Sequence, residues 1–291
     1  MILPGRAHLG HILRYVGRPL IWLLAWDVAV TAFWYFIHPR WAEFPALPVT
    51  LLGSAVAVYL SFRNTTAYAR WWEARTLWGA MVNASRTLAR EALTLIPQRD
   101  VAATVAHRQI AYVHALRMHL RRQSPWDDLT NRLPAEDVER LRSVTNVPNA
   151  IHARTATIIA AARPEPILLA TLSRTLSDIS NAQGGMERIK NTPLPQQYAT
   201  YPEIFTHGFC LLLPLGLVET LGLYTPLGST VAGFLFLALL QIGNDMQNPF
   251  ENLEDDVPLT TLTRAIEIDL RDGLGESHGL EPVKPVDGIL W

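Results

Sequence analysis

Pro48 to Gly79 reads P-V-T-L-L-G-S-A-V-A-V-Y-L-S-F-R-N-T-T-A-Y-A-R-W-W-E-A-R-T-L-W-G. Its first half is apolar with small residues interspersed, its second half basic and aromatic, and no proline after Pro48 interrupts a helix. The pattern predicts one long helix that leaves a membrane and continues into water. At 1.5 Å per residue, about 30 residues reach roughly 45 Å, enough to cross the hydrocarbon layer and project beyond it.

Working outward, Leu20 to Ile37 is a second apolar run, with Asp27 as its one charge and Trp34, Tyr35 and Phe36 at its far end, where an interfacial belt sits. Although Arg6, Arg14 and Arg18 precede it as in a secretory signal, the run is long and has no small-residue cleavage site, so it reads as a retained span. The uncharged run Leu47 to Phe62 is slightly short for a span, and Arg63 is placed to snorkel at its end. Arginines flank the pair on both outer sides, whereas the connecting turn has Arg40 against Glu43. By the positive-inside rule this is a membrane hairpin with both flanks cytoplasmic.

Residues 80–200 turn amphipathic, with breaks at Pro97, Ser124-Pro125, Val147-Pro148, Pro164-Glu165-Pro166 and Thr192-Pro193-Leu194-Pro195. A second hairpin follows, Ile204 to Tyr224 (with Pro214 and Glu219) and Thr225 to Gly243, in the same orientation. The expected fold is therefore an all-α membrane protein with four transmembrane helices in two hairpins. Residues 1–79 hold the first hairpin and its extension, 80–200 a cytosolic helical region, 201–248 the second hairpin and 249–291 a cytosolic C-terminal segment, which includes a helix from Leu259 to Asp272 and an extended tail. The expected location is the inner (plasma) membrane, with both termini cytoplasmic.

Composition agrees with a mixed membrane and water-facing chain: 49% of residues are hydrophobic and the mean hydropathy is +0.13. A net charge of −1 implies no strongly basic face, which argues against nucleic acid as the main partner. The single cysteine, Cys210, excludes an intrachain disulfide framework and a four-cysteine zinc site. No Gly-rich phosphate loop, serine elbow or H-E-x-x-H motif is present, so no catalysis is expected.

Ser54, Val58 and Phe62 recur every four residues and share a helix face, with Gly53, Ala57 and Ser61 beside them. Such a face either packs helices closely or, with copies around an axis, lines a pore with an apolar constriction. Asp27 and Glu219, carboxylates within apolar runs, are either structural pairs or ion-pathway groups. Asp245, Glu251, Glu254, Asp255 and Asp256, with Asn248 alongside, concentrate hard oxygen donors suited to calcium, yet lack the spacing of a calcium loop. The plainer reading is N-terminal capping of the helix that follows. His107, His114 and His119 do not share one helix face, so they are not expected to bind a metal.

Four motifs, S-F-R-N-T-T-A-Y-A-R-W-W-E-A-R-T-L-W-G, G-G-M-E-R-I-K-N-T-P-L-P, L-P-L-G-L-V-E-T-L-G-L-Y-T-P-L and N-P-F-E-N-L-E-D-D-V-P-L, together resemble the bestrophin family, especially its bacterial branch. The resemblance spans about Arg14 to Gly275. It implies a homopentameric ion channel in the lipid bilayer that passes small monovalent ions, chloride and other anions or, in a bacterial member, a cation such as sodium. It implies further that Ser54, Val58 and Phe62 form the apolar neck, Ser54 departing from the bulky apolar residue usual there, and that Ile167 forms a cytosolic aperture. Eukaryotic bestrophins bind calcium with a denser acidic run after Asn-Pro-Phe; here Asn252 and Leu253 interrupt it, so no cofactor is expected to be required. The alternatives to a passive channel are an ion-coupled secondary transporter using Asp27 and Glu219, or a membrane-anchored scaffold.

Overall fold

A computed structural model describes residues 1, 9–37 and 46–291, the side chains of residues 9–15 and 46 excepted. Arg6, Arg40 and Glu43 lie outside the described residues, as does the side chain of Arg14. Among the described residues the fold is helical, with no strand beyond one isolated bridge between Val286 and Ile289. The helices are α1 (Leu9–Ile37), α2 (Ala46–Leu95), α3 (Arg99–Leu120), α4 (Trp126–Thr130), α5 (Ala135–Leu141), α6 (Val147–Ala161), α7 (Pro166–Asn191), α8 (Gln196–Ala199), α9 (Tyr201–Leu221), α10 (Thr225–Met246) and α11 (Leu259–Leu274).

Two boundaries differ from the sequence reading. α1 begins upstream of Leu20 and keeps Pro19 inside it. α2 does not end near Gly79 but runs 50 residues, about 75 Å, until Pro97 cannot continue it. One glycine costs a helix only about 1 kcal/mol, and Trp78 and Met81, both fully buried beside Gly79, hold the helix through it.

The described residues fall into two compact units. One, the apolar unit, takes them from Pro4–Arg70 and Pro193–Gln247. In it α1 packs against α9 and α10, which follow each other through a short 3-10 turn at Gly222–Tyr224. Its core comprises Val16 and Leu23 of α1, Val49, Val56 and Leu60 of α2, Phe209, Cys210 and Leu213 of α9, and Leu237 and Leu240 of α10. Gly53 is needed here, because a Cβ at that position would lie 2.9 Å from the Phe209 ring. Val16–Ile37 and Gln196–Met246 are long and apolar enough to cross a membrane, with mean hydropathies of 1.8 and 1.7. The uncharged run that opens α2 ends at Phe62, just before Arg63.

The other unit takes the described residues of Met1–Leu3, Trp71–Thr192 and Asn248–Trp291. α3 is its central helix, contacting α4, α6, α7 and α11 and burying residues around most of its circumference. Trp78, Leu88, Ile110, Leu116, Ile151, Ile179, Met186 and Ile266 fill the core. Asn146 caps α6 by accepting from the Asn149 amide at 3.1 Å, with Pro148 in the first turn, as the Val147-Pro148 break suggests.

Candidate functional site: the outward face of the second helix

Within the apolar unit α2 has two unlike sides. Val56, Leu60, Arg63 and Ala67 are at most 3% exposed, whereas Val58 and Phe62 are 56% and 64% exposed and Ser54 is exposed as well. A helix whose buried side already packs against its own chain leaves such a face for something other than that chain. Ser54 donates its hydroxyl hydrogen to the Thr50 carbonyl at 3.0 Å, so its oxygen lone pairs remain available outward. The three residues thus form one stripe, polar at Ser54 and apolar at Val58 and Phe62. In the other unit Ile167 stands in the first turn of α7 and is 72% exposed.

Arg63 does not snorkel as the sequence suggests. It is fully buried, donating from Nε to the Tyr198 carbonyl (2.8 Å), from Nη1 to the Leu240 carbonyl (2.9 Å) and from Nη2 to Asn244. The buried guanidinium gives its donors to two backbone carbonyls and one side-chain amide instead.

Asp27 is buried between α1 and α10, where it accepts hydrogen bonds from Ser229 (3.0 Å) and Thr230 (2.8 Å). Glu219 is exposed near the end of α9 and takes no part in this cluster. The geometry favours structural pairing for Asp27, because each carboxylate oxygen already satisfies a hydroxyl. Asp27→Asn, which retains an acceptor, is expected to leave stability and ion flux near wild type. Asp27→Leu, which strands both hydroxyls, is expected to cost about 1–3 kcal/mol. Thermal unfolding in detergent and flux in liposomes measure the two; a stable Asp27→Asn protein without flux would make Asp27 an ion-coupling group.

The acidic residues do not act as one set. Asp245, in the apolar unit, accepts from Gln241 at 3.0 Å. In the other unit Asn248 and Asp255 are exposed, Glu254 is half-buried and Glu251 pairs with Lys190 at 2.8 Å. Asp256 is buried and accepts from the Leu253 amide at 3.0 Å, and burial pushes its carboxyl up to about 6. It therefore stitches its own loop and does not cap α11, whose N-cap position is Pro258. Among the described residues no three carboxylate, imidazole or thiol groups gather as metal ligands. The three histidines share no carboxylate: His107 meets Glu276 (2.8 Å), His114 meets Glu267 (2.9 Å) and Asp128 (3.7 Å), and His119 meets Glu187 (3.5 Å).

The comparisons with known proteins agree with one another. A family model described as "Bacterial/Fungal Bestrophin protein" matches residues 6–272. The voltage-dependent anion channel-forming protein of Ralstonia nicotianae is 37% identical over 82% of each chain. YneE of Escherichia coli, also described as a voltage-dependent anion channel-forming protein, is 34% identical over 90% of this chain and 87% of its own length. A crystal structure of a bacterial bestrophin homologue from Klebsiella pneumoniae superposes with a TM-score of 0.85 at 28% identity, covering 89% of this chain and 98% of that one.

Proposed function

Because the chain belongs to the bacterial and fungal bestrophin family, we propose that five copies of it form a membrane channel that conducts small monovalent anions passively through a central pore. The observation that carries this reading is the α2 stripe of Ser54, Val58 and Phe62, which faces away from its own chain while the opposite side of the helix is buried. Around an axis these residues form three successive rings, a wettable one at Ser54 and two apolar ones at Val58 and Phe62. An ion enters the apolar rings only when water does, so the neck opens and closes by wetting.

In this reading α1, the opening of α2, α9 and α10 cross the inner membrane. The arginine-rich flanks, and with them both termini, face the cytoplasm. Ile167 of the amphipathic unit forms a second aperture, and conduction requires no calcium ion. An apolar neck does not choose the sign of the ion; the choice of anion rests on relatives described as anion channel-forming.

Purified protein is expected to behave as a pentamer by native mass spectrometry and to carry current in planar bilayers. Under a potassium chloride gradient its reversal potential should lie near the chloride equilibrium value. A reversal near the potassium value would keep the channel and overturn its sign. Impermeable bilayers from pentameric protein would overturn the channel.

A further inference from the structure

The side chains next to the stripe hold α2 in a way that its apolar packing does not require. Besides the three bonds of Arg63, Asn64 donates to the Leu239 carbonyl at 2.9 Å and Tyr59 donates to the Gln197 carbonyl. One side of α2 is thus fastened to α8 through Tyr59 and Arg63, and to α10 through Arg63 and Asn64. Gly243 lets the two helices approach, since a Cβ there would collide with both Arg63 and Asn64. Among the described residues no carboxylate lies within ion-pair distance of Arg63, which donates to two carbonyls and an amide oxygen. Bonds to such acceptors are directional, and a planar guanidinium fork donating to three of them fixes an orientation as a point charge does not.

Successive residues of a helix are turned by about 100°, so Tyr59 and Arg63 stand one step around from Val58 and Phe62. Whatever sets the direction of the first pair sets the direction of the second. We infer that Arg63 is the positioning residue of the neck: its three-way bond to α8 and α10 fixes the rotation of α2 about its own axis and so aims Val58 and Phe62. The inference rests on the channel reading above.

The test introduces single cysteines at positions 57, 58 and 62 in a Cys210→Ala background and follows block of bilayer current by a charged thiosulfonate reagent. With Arg63 present, block is expected at 58 and 62 and to be about tenfold slower at the half-buried position 57. Arg63→Gln is expected to erase that contrast. Arg63→Lys, which keeps the charge and loses the fork, is expected to behave like Gln and not like Arg; a purely electrostatic role predicts the opposite. Asn244→Ala, which removes one acceptor and leaves Arg63 in place, should shrink the contrast about threefold and serves where the Arg63 variants fail to assemble. An unchanged contrast in assembled Arg63→Gln, or in Asn244→Ala where that variant fails, overturns the inference and leaves the channel standing. Failure of cysteines at 58 and 62 to affect current with Arg63 intact removes the neck, and the role of Arg63 with it.

Discussion

In the proposed channel, alanine in place of Phe62 is expected to raise the open probability and the unitary conductance. Apolar surface resists water by about 25 cal/mol per Å², and the described residues leave most of the Phe62 phenyl group uncovered, at 64% exposed. In the proposed pentamer, truncating five phenyl groups at once lowers the wetting barrier by several kcal/mol, and each 1.36 kcal/mol is about a tenfold change in occupancy. Val58→Ala should act in the same direction and less strongly, because a smaller side chain is removed. Ser54 makes both effects larger: with a hydroxyl at the first ring, the apolar barrier rests on the other two. Single-channel recording in planar bilayers measures open probability and conductance together. Unchanged gating and conductance in both variants would falsify the neck, since both side chains are mostly exposed within their own chain.

How far the sequence could be read depends on what each residue answers to. The helices and most of their ends follow from proline placement and periodicity, which are local: Pro97 ends α2, and Pro166 opens α7. Gly79 misled because its local cost is small beside the burial of Trp78 and Met81 on either side, a tertiary effect that spacing does not display. The 54, 58, 62 stripe is visible as spacing, but spacing alone favours close packing; the exposure of Val58 and Phe62 adds that this face is not packed within its own chain. Arg63 was misread for the same reason as Gly79. Whether an arginine ending an apolar run snorkels or is buried depends on tertiary neighbours, here Leu240, Tyr198 and Asn244, which spacing does not display. The acidic run looked like one feature because its members are neighbours in sequence. Asp245 and Asp256 meet different partners, and the loop that Asp256 stitches could not be read from composition.

The stability of the amphipathic unit is expected to collapse between about pH 4 and pH 2, and Glu267 is the residue on which this depends most. Glu267 is 3% exposed on α11 and contacts His114 of α3 at 2.9 Å, Arg132 at 3.3 Å and Arg271 at 3.2 Å. Burial alone would raise its carboxyl; the His114 hydrogen bond and the Arg132 charge outweigh that and hold it at about 2. Asp128 is likewise held at about 2 against burial, by the His114 ring 3.7 Å away and by its bond with Arg117. Both groups are depressed below the ordinary carboxylate range, so the stability they supply is complete above about pH 4.5 and is lost as pH falls toward 2. For Glu267 the loss is about 3 kcal/mol. Asp256 has the opposite sign: its carboxyl is raised to about 6, so its contribution is complete below about pH 4 and lost as pH rises through 6. Unfolding midpoints should therefore peak near pH 5, fall steeply below 4 and decline gently toward 7, and Asp256→Asn should flatten only the upper limb. Glu267→Ala leaves buried His114 and the two arginines without their shared partner. At pH 7 it is expected to cost about 3–5 kcal/mol; by pH 2.5 most of the difference from wild type should be gone. Denaturant unfolding of detergent-purified protein from pH 7.5 to 2.5 provides both profiles, and a Glu267→Ala curve running parallel to wild type through the acid limb would show that the collapse has another source.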